Sequence, residues 1–241
     1  MIDFLIKDGW LKTPRIIEAF RKIKRADFLP EEDKDLAELN EALPIGFGQT
    51  ISQPLVVAFM LELLQPDSGE KILDIGSGSG WTSGLLAQIV SGGNKQGQNG
   101  RVIAVEIVPE LKKFGEKNVA KYNYTEKGIV EFICADATKG YEKEAPYDKI
   151  LASASARDRI PEAWKKQLKV GGRIVMPIGT SIWLFVKKSE KRGDEPSVHL
   201  PSPERSEGSR RDLSFRSPER SEGFEETEYP GFIFVPLISK E

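Results

Sequence analysis

The sequence predicts a doubly wound α/β fold: a mostly parallel, seven-stranded sheet with helices on both faces, an antiparallel C-terminal hairpin and an N-terminal helical extension. Short apolar runs alternate with helix-like stretches after residue 67, which is typical of parallel strands joined by crossover helices. A glycine-rich turn follows the first of these runs, and two late apolar runs end the pattern. These observations place the extension in residues 1–66 and the sheet domain in residues 67–241.

Two helices are predicted in the extension. Thr13 and Pro14 are residue types preferred at a helix N-cap and at the first helical position, and apolar residues then recur at helical spacing up to Ile23. This helix is expected to end before Pro30. An acidic stretch over 31–40 and a loop over 43–52 precede a second helix, which Pro54 begins and which extends to residue 64.

The sheet domain contains five short apolar runs that predict buried strands. They cover residues 71–75, 102–105, 129–134, 149–152 and 173–176. Gly171 and Gly172 are expected to form the turn into the fifth strand. Helices are predicted over 82–90, 109–122 and 161–168, and two late strands over 182–186 and 232–237.

Between the two late strands lies a segment in which Ser-Pro-Glu-Arg-Ser-Glu-Gly occurs twice, over 202–208 and 217–223. Two copies are too few for a solenoid, and the composition lacks the apolar residues needed for a core. The sequence therefore predicts a disordered insertion in a hairpin loop, at about 190–223.

Composition excludes several functions. Lys and Arg total 35 against 37 Asp and Glu, a net charge of −2, so there is no basic excess to bind a nucleic acid. The single cysteine, Cys134, and single histidine, His199, allow neither a disulfide framework nor a Cys/His zinc site, and their surroundings disfavour a Cys-His nucleophile pair. No apolar run is long enough to span a bilayer. We expect a cytoplasmic protein with no metal, no nucleic-acid partner and no membrane partner.

The glycine-rich turn predicts a ligand site. Gly76, Gly78 and Gly80 follow the first strand, at the carboxyl edge where open α/β sheets bind ligands, and glycine lets a backbone approach a ligand closely. A dinucleotide-binding turn would have glycine at position 81, where this chain has Trp81. The alternative is that these glycines only form a tight turn.

Three acids follow or end the first three strands. Asp74 lies within the first strand, where a carboxylate suits a cationic ligand better than a pyrophosphate. Glu106 ends the second strand and could accept hydrogen bonds from both hydroxyls of a ribose. Asp136 follows the third strand and could bind the amine of an adenine. Together they favour S-adenosylmethionine, although Glu106 could also be a solvated acid at a strand end.

The segment Pro-Ile-Gly-Phe-Gly-Gln-Thr-Ile-Ser-Gln-Pro, residues 44–54, resembles the pre-domain motif of the protein-L-isoaspartate O-methyltransferases. Other stretches similar to that family are 61–64, 105–111, 145–148, 160–163, 167–173, 175–179, 223–226 and 234–237. The resemblance covers almost the whole chain except the insertion. It implies methyl transfer from S-adenosyl-L-methionine to the free carboxylate of L-isoaspartyl residues, with S-adenosyl-L-homocysteine as product.

The resemblance also implies roles for individual residues. Ser52 is the expected catalytic residue, in a flap of residues 49–52 that covers the methyl donor. Cofactor contacts are implied for the following residues: Gln49, Thr50, Ile51, Ser52, Asp74, Gly76, Ser77, Gly78, Glu106, Ile107, Asp136 and Ala137. Substrates would be isoaspartyl-containing proteins and peptides, and the enzyme is expected to be a monomer.

The chain departs from the family pattern at two places. Ala135 and Ala137 flank Asp136 where the family usually has Gly-Asp-Gly, and Ser-Ala-Ser-Ala over 153–156 replaces Thr-Ala-Ala-Ala. Ser52 could instead cap the helix that Pro54 begins. The alternative functions are a methyltransferase for RNA or a small metabolite, and a non-catalytic cofactor-binding protein.

Overall fold

A computed structural model describes residues 1–92, 99–156, 159–189, 220–221 and 223–234. Its helices are α1 (Ile2–Lys7), α2 (Pro14–Lys22), α3 (Pro54–Leu64), α4 (Trp81–Val90), α5 (Pro109–Ala120) and α6 (Glu162–Gln167). Its strands are β1 (Leu43–Gly46), β2 (Gln49–Ile51), β3 (Lys71–Ile75), β4 (Arg101–Glu106), β5 (Val130–Cys134), β6 (Tyr147–Ala152), β7 (Leu168–Ile178), β8 (Ser181–Lys187), β9 (Arg220–Ser221) and β10 (Phe224–Pro230). Short 3-10 helices cover Arg25–Phe28, Glu31–Leu36, Ala137–Lys139 and Glu142–Glu144.

The main sheet has the strand order β5-β4-β3-β6-β7-β8-β10-β9. Strands β3 to β7 pair in parallel, and β8, β10 and β9 pair antiparallel. The order reverses between β3 and β6, so β3 lies at the topological switch point where such sheets bind ligands. The predicted doubly wound, mostly parallel fold is confirmed, and the two-residue β9 adds an eighth strand at the edge.

Both faces of the sheet are covered. One face carries α2, α3, α4 and α5, and their apolar side chains share one core with Ile72, Val102 and Val175. The other face carries α6. Its fully buried Trp164 shares a second core with Leu73 and Ile103, which alternate along their strands with Ile72 and Val102 of the first core. The extension therefore shares its core with the sheet. The predicted boundary between the extension and the sheet domain, at residue 66, stays a prediction.

The loop predicted over 43–52 is in fact a β-hairpin, in which β1 and β2 pair antiparallel. Leu43, Ile45 and Ile51 are buried, so the hairpin presents one apolar face to the core. Pro44 and the glycines at the turn concealed this alternation, because both residue types are depleted in strands. The predicted flap is the second strand of this hairpin together with the residue after it.

Two C-terminal predictions are wrong. The last described strand is β10, not a strand over 232–237: residues 232–234 are not in a strand, and 235–237 lie outside the described residues. Strand β10 is rich in charged residues and is held through backbone pairing with β8, which needs no apolar run. The second wrong prediction is the turn at Gly171 and Gly172, which lie inside β7. Tyr147 pairs with Leu168 and Lys149 with Arg173, so β7 has extra residues between these pairs and forms a bulge there.

The predicted insertion at about 190–223 lies almost entirely outside the described residues, which include only 220–221 and 223 of it. Within the part of the chain that the structure describes, no helix is long and apolar enough to cross a membrane.

Candidate active site

A cleft opens at the carboxyl ends of β3, β4 and β6, and the β1–β2 hairpin forms its opposite wall. It encloses about 760 Å³ including its open mouth, within the range of small-molecule sites. Its lining comes from the flap and from the segments that follow the central strands: residues 49–52, 75–79, 81–82, 105–108, 135, 137 and 153–154. The chain thus brings together the flap, the glycine turn and the ends of neighbouring strands.

The glycine turn between β3 and α4 requires glycine for its backbone. Gly76, Gly78 and Gly80 have φ angles of 71°, 51° and 84°, in the left-handed region that other residues avoid. A side chain at Gly80 would place its Cβ 2.9 Å from the carbonyl oxygen of Gly115 in α5. Gly115 has the reciprocal restriction, since its Cβ would lie 2.8 Å from the carbonyl oxygen of Gly78. The turn is therefore seated directly on α5.

Glu106 holds this turn against the end of β4. One oxygen of its buried carboxylate, Oε2, accepts a hydrogen bond of 2.9 Å from the amide of Gly78. The other, Oε1, accepts from the amides of Ile107 and Val108 at 2.8 and 3.0 Å. Glu106 lines the cleft as predicted and also fixes the backbone around it. It is not a solvated acid, because only 6 % of its surface is exposed.

Asp74 lies behind the cleft and is fully buried. Its Oδ2 accepts hydrogen bonds from the hydroxyls of Thr82 and Ser83 at 2.9 and 2.6 Å, and its Oδ1 has no partner among the described residues. Desolvation raises the pKa of Asp74 to about 6, and the nearby charge of Glu106 adds to the rise, while the two hydroxyls oppose it. Asp74 therefore contributes a buried acid near the turn and no surface to the cleft.

Ser52 follows β2 and is half-buried in the cleft wall. Helix α3 has Gln53, not Ser52, as its N-cap residue, and no side chain of that residue caps it. Instead, Asn40 Oδ1 accepts a hydrogen bond of 2.9 Å from the amide of Leu55. The alternative role of Ser52 as a helix cap thus finds no support in the geometry of α3.

Asp136 does not reach the cleft wall. Its Oδ1 accepts a hydrogen bond of 2.9 Å from the amide of Thr138, so its side chain caps the short 3-10 helix that follows β5. Its neighbours Ala135 and Ala137 line the cleft instead. A contact between this segment and an adenine would involve these alanines as well as the aspartate.

The chain was compared with known proteins. Residues 1–201 match the model of the family described as protein-L-isoaspartate(D-aspartate) O-methyltransferase. A protein-L-isoaspartate O-methyltransferase of Methanopyrus kandleri is 42 % identical over 194 residues, which cover 79 % of this chain and 81 % of that protein. This chain belongs to that family. A second relative with the same description, from Aeropyrum pernix, is 43 % identical over 80 % of this chain and 71 % of its own length.

Solved structures support the fold of this isoaspartyl methyltransferase. The protein-L-isoaspartate O-methyltransferase of Plasmodium falciparum, solved in complex with S-adenosyl-L-homocysteine, superposes with a TM-score of 0.75 over 99 % of this chain and 97 % of that chain. At 19 % identity this likeness shows the fold alone. The family model and the sequence relatives confirm the predicted family and enzyme class, and this structure confirms the predicted doubly wound α/β architecture.

The departures from the family pattern leave the backbone of this methyltransferase unstrained. Ala135 and Ala137 both have negative φ angles, so the loop after β5 does not need the glycines usual in the family. The segment 153–156 follows β6 and contributes Ser153 and Ala154 to the cleft.

Ten of the twelve predicted site residues line the cleft. Those that line the cleft are Gln49, Thr50, Ile51, Ser52, Gly76, Ser77, Gly78, Glu106, Ile107 and Ala137. Asp74 and Asp136 do not. Prediction from the sequence missed several lining residues of this methyltransferase: Ile75, Ser79, Trp81, Thr82, Val105, Val108, Ala135, Ser153 and Ala154. Most of these are direct chain neighbours of predicted residues, and Ser153 could have been found as the residue that follows a central strand.

Proposed function

We propose that Ser52 orients the free carboxylate of an L-isoaspartyl residue while that carboxylate accepts a methyl group from S-adenosyl-L-methionine. The reaction is the one that gives the family its name. The observation that carries the role of Ser52 is its position: a half-buried side chain in the same cleft as the glycine turn, which caps no helix. Its hydroxyl is thus available to a ligand.

The residues of the cleft fit this cofactor. Glu106 lines the cleft and Asp74 lies behind it. Both are buried acids that form no salt bridge with any described residue, and a cation is the ligand that such a pair favours. The glycine turn offers close backbone approach. The buried hydroxyl of Ser77 has no partner among the described residues, as expected for a group that awaits a ligand. When bound, the cofactor supplies a methyl group activated by a positive sulfonium.

The protein's task is then to position the substrate and exclude water. An α-carboxylate has an ordinary pKa of roughly 3.5, so it is ionised at pH 7 and needs no general base. Ser52 would donate its hydroxyl proton in a hydrogen bond to one carboxylate oxygen, leaving the other to face the methyl group. Alignment of this kind supplies ~7–11 kcal/mol in favourable cases. This accounts for a reaction that requires neither histidine nor cysteine.

The product ester would leave the enzyme before repair is complete. Its backbone amide nitrogen attacks the ester carbonyl and expels methanol, which gives a succinimide that water opens partly to normal aspartate. The substrates we propose are therefore damaged proteins and peptides that carry an isoaspartyl residue. A monomeric state, a cytoplasmic location and the lack of nucleic-acid and membrane partners stay predictions from the sequence.

The test is methyl transfer from labelled cofactor to an isoaspartyl peptide, with the matching aspartyl peptide as control. We expect transfer to the first peptide only. Ser52→Ala should lower turnover about ten- to a hundredfold, because one hydrogen bond to a charged group contributes about 1.5–3 kcal/mol. Binding of S-adenosyl-L-homocysteine should change less than turnover. Ser91→Ala is the matched control, since this serine follows α4 and its hydroxyl donates to the carbonyl of Gln88, away from the cleft.

Other results would assign Ser52 another role. Complete loss of activity together with a covalently modified wild-type enzyme would identify a nucleophile. Unchanged turnover with a melting temperature lowered by the equivalent of about 1 kcal/mol would identify a structural serine. Either result would contradict the orienting role proposed here.

A further inference from the structure

Arg25 is a buried cation beneath the β1–β2 hairpin. Only 3 % of its surface is exposed, and it forms no salt bridge with any described residue. Its partners are backbone carbonyls. Nη1 donates to the carbonyl oxygens of Ala37 and Leu39, each at 3.1 Å, and Nη2 donates to those of Glu41 and Ser52 at 2.7 and 3.3 Å.

The two carbonyls that Nη2 contacts lie at the two ends of the hairpin. Glu41 precedes β1 and Ser52 follows β2, so one nitrogen joins both ends of the hairpin at its base. Ser52 is the residue for which the proposed function requires an exact position. A lysine could not reproduce the contacts, because a planar guanidinium presents its donors in a fixed fork and an ammonium does not.

Arg25 also contacts the opposite wall of the cleft. Its guanidinium carbon lies 5.4 Å from the centre of the Trp81 ring, within the range of a cation–π contact. Trp81 is the first residue of α4, follows the glycine turn and lines the cleft. The same side chain therefore touches the end of the flap and the helix that begins after the glycine turn.

The burial of Arg25 is costly for the fold. Desolvation lowers the pKa of its guanidinium to about 10, although the side chain stays charged at neutral pH. Replacement of buried ionic groups by well-packed apolar side chains of similar volume is often neutral or stabilising. Stability alone thus gives a weak reason for an arginine here, whereas a fixed geometry between two walls of the cleft gives a strong one.

We infer that Arg25 is a positioning residue for methyl transfer: it sets the place of Ser52 relative to the glycine turn through the Ser52 carbonyl and the Trp81 ring. This inference rests on the proposed role of Ser52. It assigns no contact between Arg25 and substrate or cofactor, because Arg25 does not line the cleft.

A double-mutant cycle tests the inference. Turnover of the isoaspartyl peptide is measured for Arg25→Lys, Arg25→Gln, Ser52→Ala and each Arg25 variant combined with Ser52→Ala. We expect either Arg25 substitution alone to lower turnover about tenfold, as for the loss of one hydrogen bond to a charged group. In the Ser52→Ala background the same substitution should lower turnover less than about twofold, since residues that act as a unit are non-additive.

The control is Arg15→Lys. Arg15 also donates to a backbone carbonyl and to a side chain, those of Pro66 and Gln65, but it lies outside the cleft. Its effect on turnover should be small and independent of Ser52. Calorimetry with S-adenosyl-L-homocysteine accompanies each variant, and the Arg25 variants should change its dissociation constant less than they change turnover.

Three results would overturn the inference. Effects of Arg25 and Ser52 that multiply would show that Arg25 acts independently of Ser52, with the role of Ser52 left standing. Unchanged turnover in Ser52→Ala would refute the proposed role of Ser52 itself. A lowered rate in Arg25→Lys would then show that Arg25 acts through a residue other than Ser52. Failure of both Arg25 variants to fold would make Arg25 a stability residue.

Discussion

At the scale of single residues, an acid predicted to bind the ligand also holds the backbone of the cleft in place. Glu106 was predicted as a ribose acceptor, and its carboxylate already accepts three backbone amide bonds. A carboxylate has about four acceptor positions, so capacity for a ligand hydroxyl is left. The charge of Asp74 acts from behind the turn, without a place in the cleft wall.

Glu106→Ala should weaken binding of S-adenosyl-L-homocysteine at least tenfold, because each hydrogen bond to a charged group contributes about 1.5–3 kcal/mol. The substitution removes the ribose acceptor and also releases the amide of Gly78. Glu106→Gln, which keeps one acceptor oxygen, should have an intermediate effect. Glu110→Ala, an exposed acid in the first turn of α5, is the control. A dissociation constant unchanged in Glu106→Ala, measured by calorimetry, would remove this residue from the cofactor site.

Asp74 makes a pH-dependent contribution to stability. Its pKa is raised to about 6 in the fold, against roughly 3.9 in the unfolded chain, so between these values the folded state holds the extra proton. The contribution of Asp74 is therefore most favourable below pH 4, falls as the pH rises to about 6, and is constant above. The fall is on the order of 2–3 kcal/mol, from 1.36 kcal/mol for each pH unit.

Asp74→Asn should abolish this fall. Urea unfolding of the wild type and the variant at pH 4.5 and 7.5 gives the measurement. We expect the wild type to lose stability relative to the variant between the two values. A stability difference that is the same at both pH values would mean that Asp74 is already ionised in the fold at pH 4.5.

At the scale of elements, those whose own residues carry a clear apolar pattern could be predicted, and those held by distant backbone partners could not. Strands β3 to β6 were predicted to within about two residues, because a strand buried on both faces must be continuously apolar. The β1–β2 hairpin was predicted as a loop, because Pro44 and the glycines conceal its apolar alternation. Strand β10 was predicted too late in the chain, because its backbone pairing with β8 does not require an apolar run. The position of the cleft could be predicted from the glycine turn and the strand ends, whereas the flap over 49–52 was implied only by the family resemblance. The contribution of Arg25 could not, since its partners are carbonyls, which have no sequence signature.

The contact between the glycine turn and α5 gives a prediction of unusual sign. Gly→Ala inside a helix ordinarily stabilises by about 0.5–1 kcal/mol. At position 115 the new methyl would lie 2.8 Å from the carbonyl oxygen of Gly78 and 3.0 Å from the ring of Phe132. Gly115→Ala should therefore lower the melting temperature and weaken binding of S-adenosyl-L-homocysteine, because the turn must move away from α5.

Lys113→Ala, at an exposed position of the same helix, is the control and should change neither quantity appreciably. Thermal unfolding and calorimetry on both variants decide the matter. A Gly115→Ala protein that is more stable than the wild type and binds the cofactor product normally would show that the turn does not depend on this contact.

At the scale of the whole molecule, the described residues form one body with the extension packed on the sheet. Strands β8 and β10 are paired along their lengths, from Ser181 with Pro230 to Lys187 with Phe224. Beyond that last pair, the amide of Lys188 donates to the carbonyl of Gly223 at 2.8 Å. The chain thus leaves β8 after Lys188 and enters β10 from Gly223 at adjacent points of the sheet.

Replacing residues 189–222 by Asn-Gly should therefore leave methyl transfer nearly unchanged and lower the melting temperature by no more than about 3 °C, since a shorter loop favours the folded state. Asn-Gly forms the two-residue turn that matches the twist of antiparallel strands, and each doubling of loop length costs only ~0.6 kcal/mol. A second variant that replaces only 190–219 by a flexible Gly/Ser linker, long enough to cross from β8 past β10, keeps β9, which pairs with β10 through two residues. It separates the effect of that strand from the effect of the repeats. If both variants lose much more stability than this, the repeat segment packs on the domain and the predicted disorder is wrong. If only the first does, β9 is the part that the sheet requires.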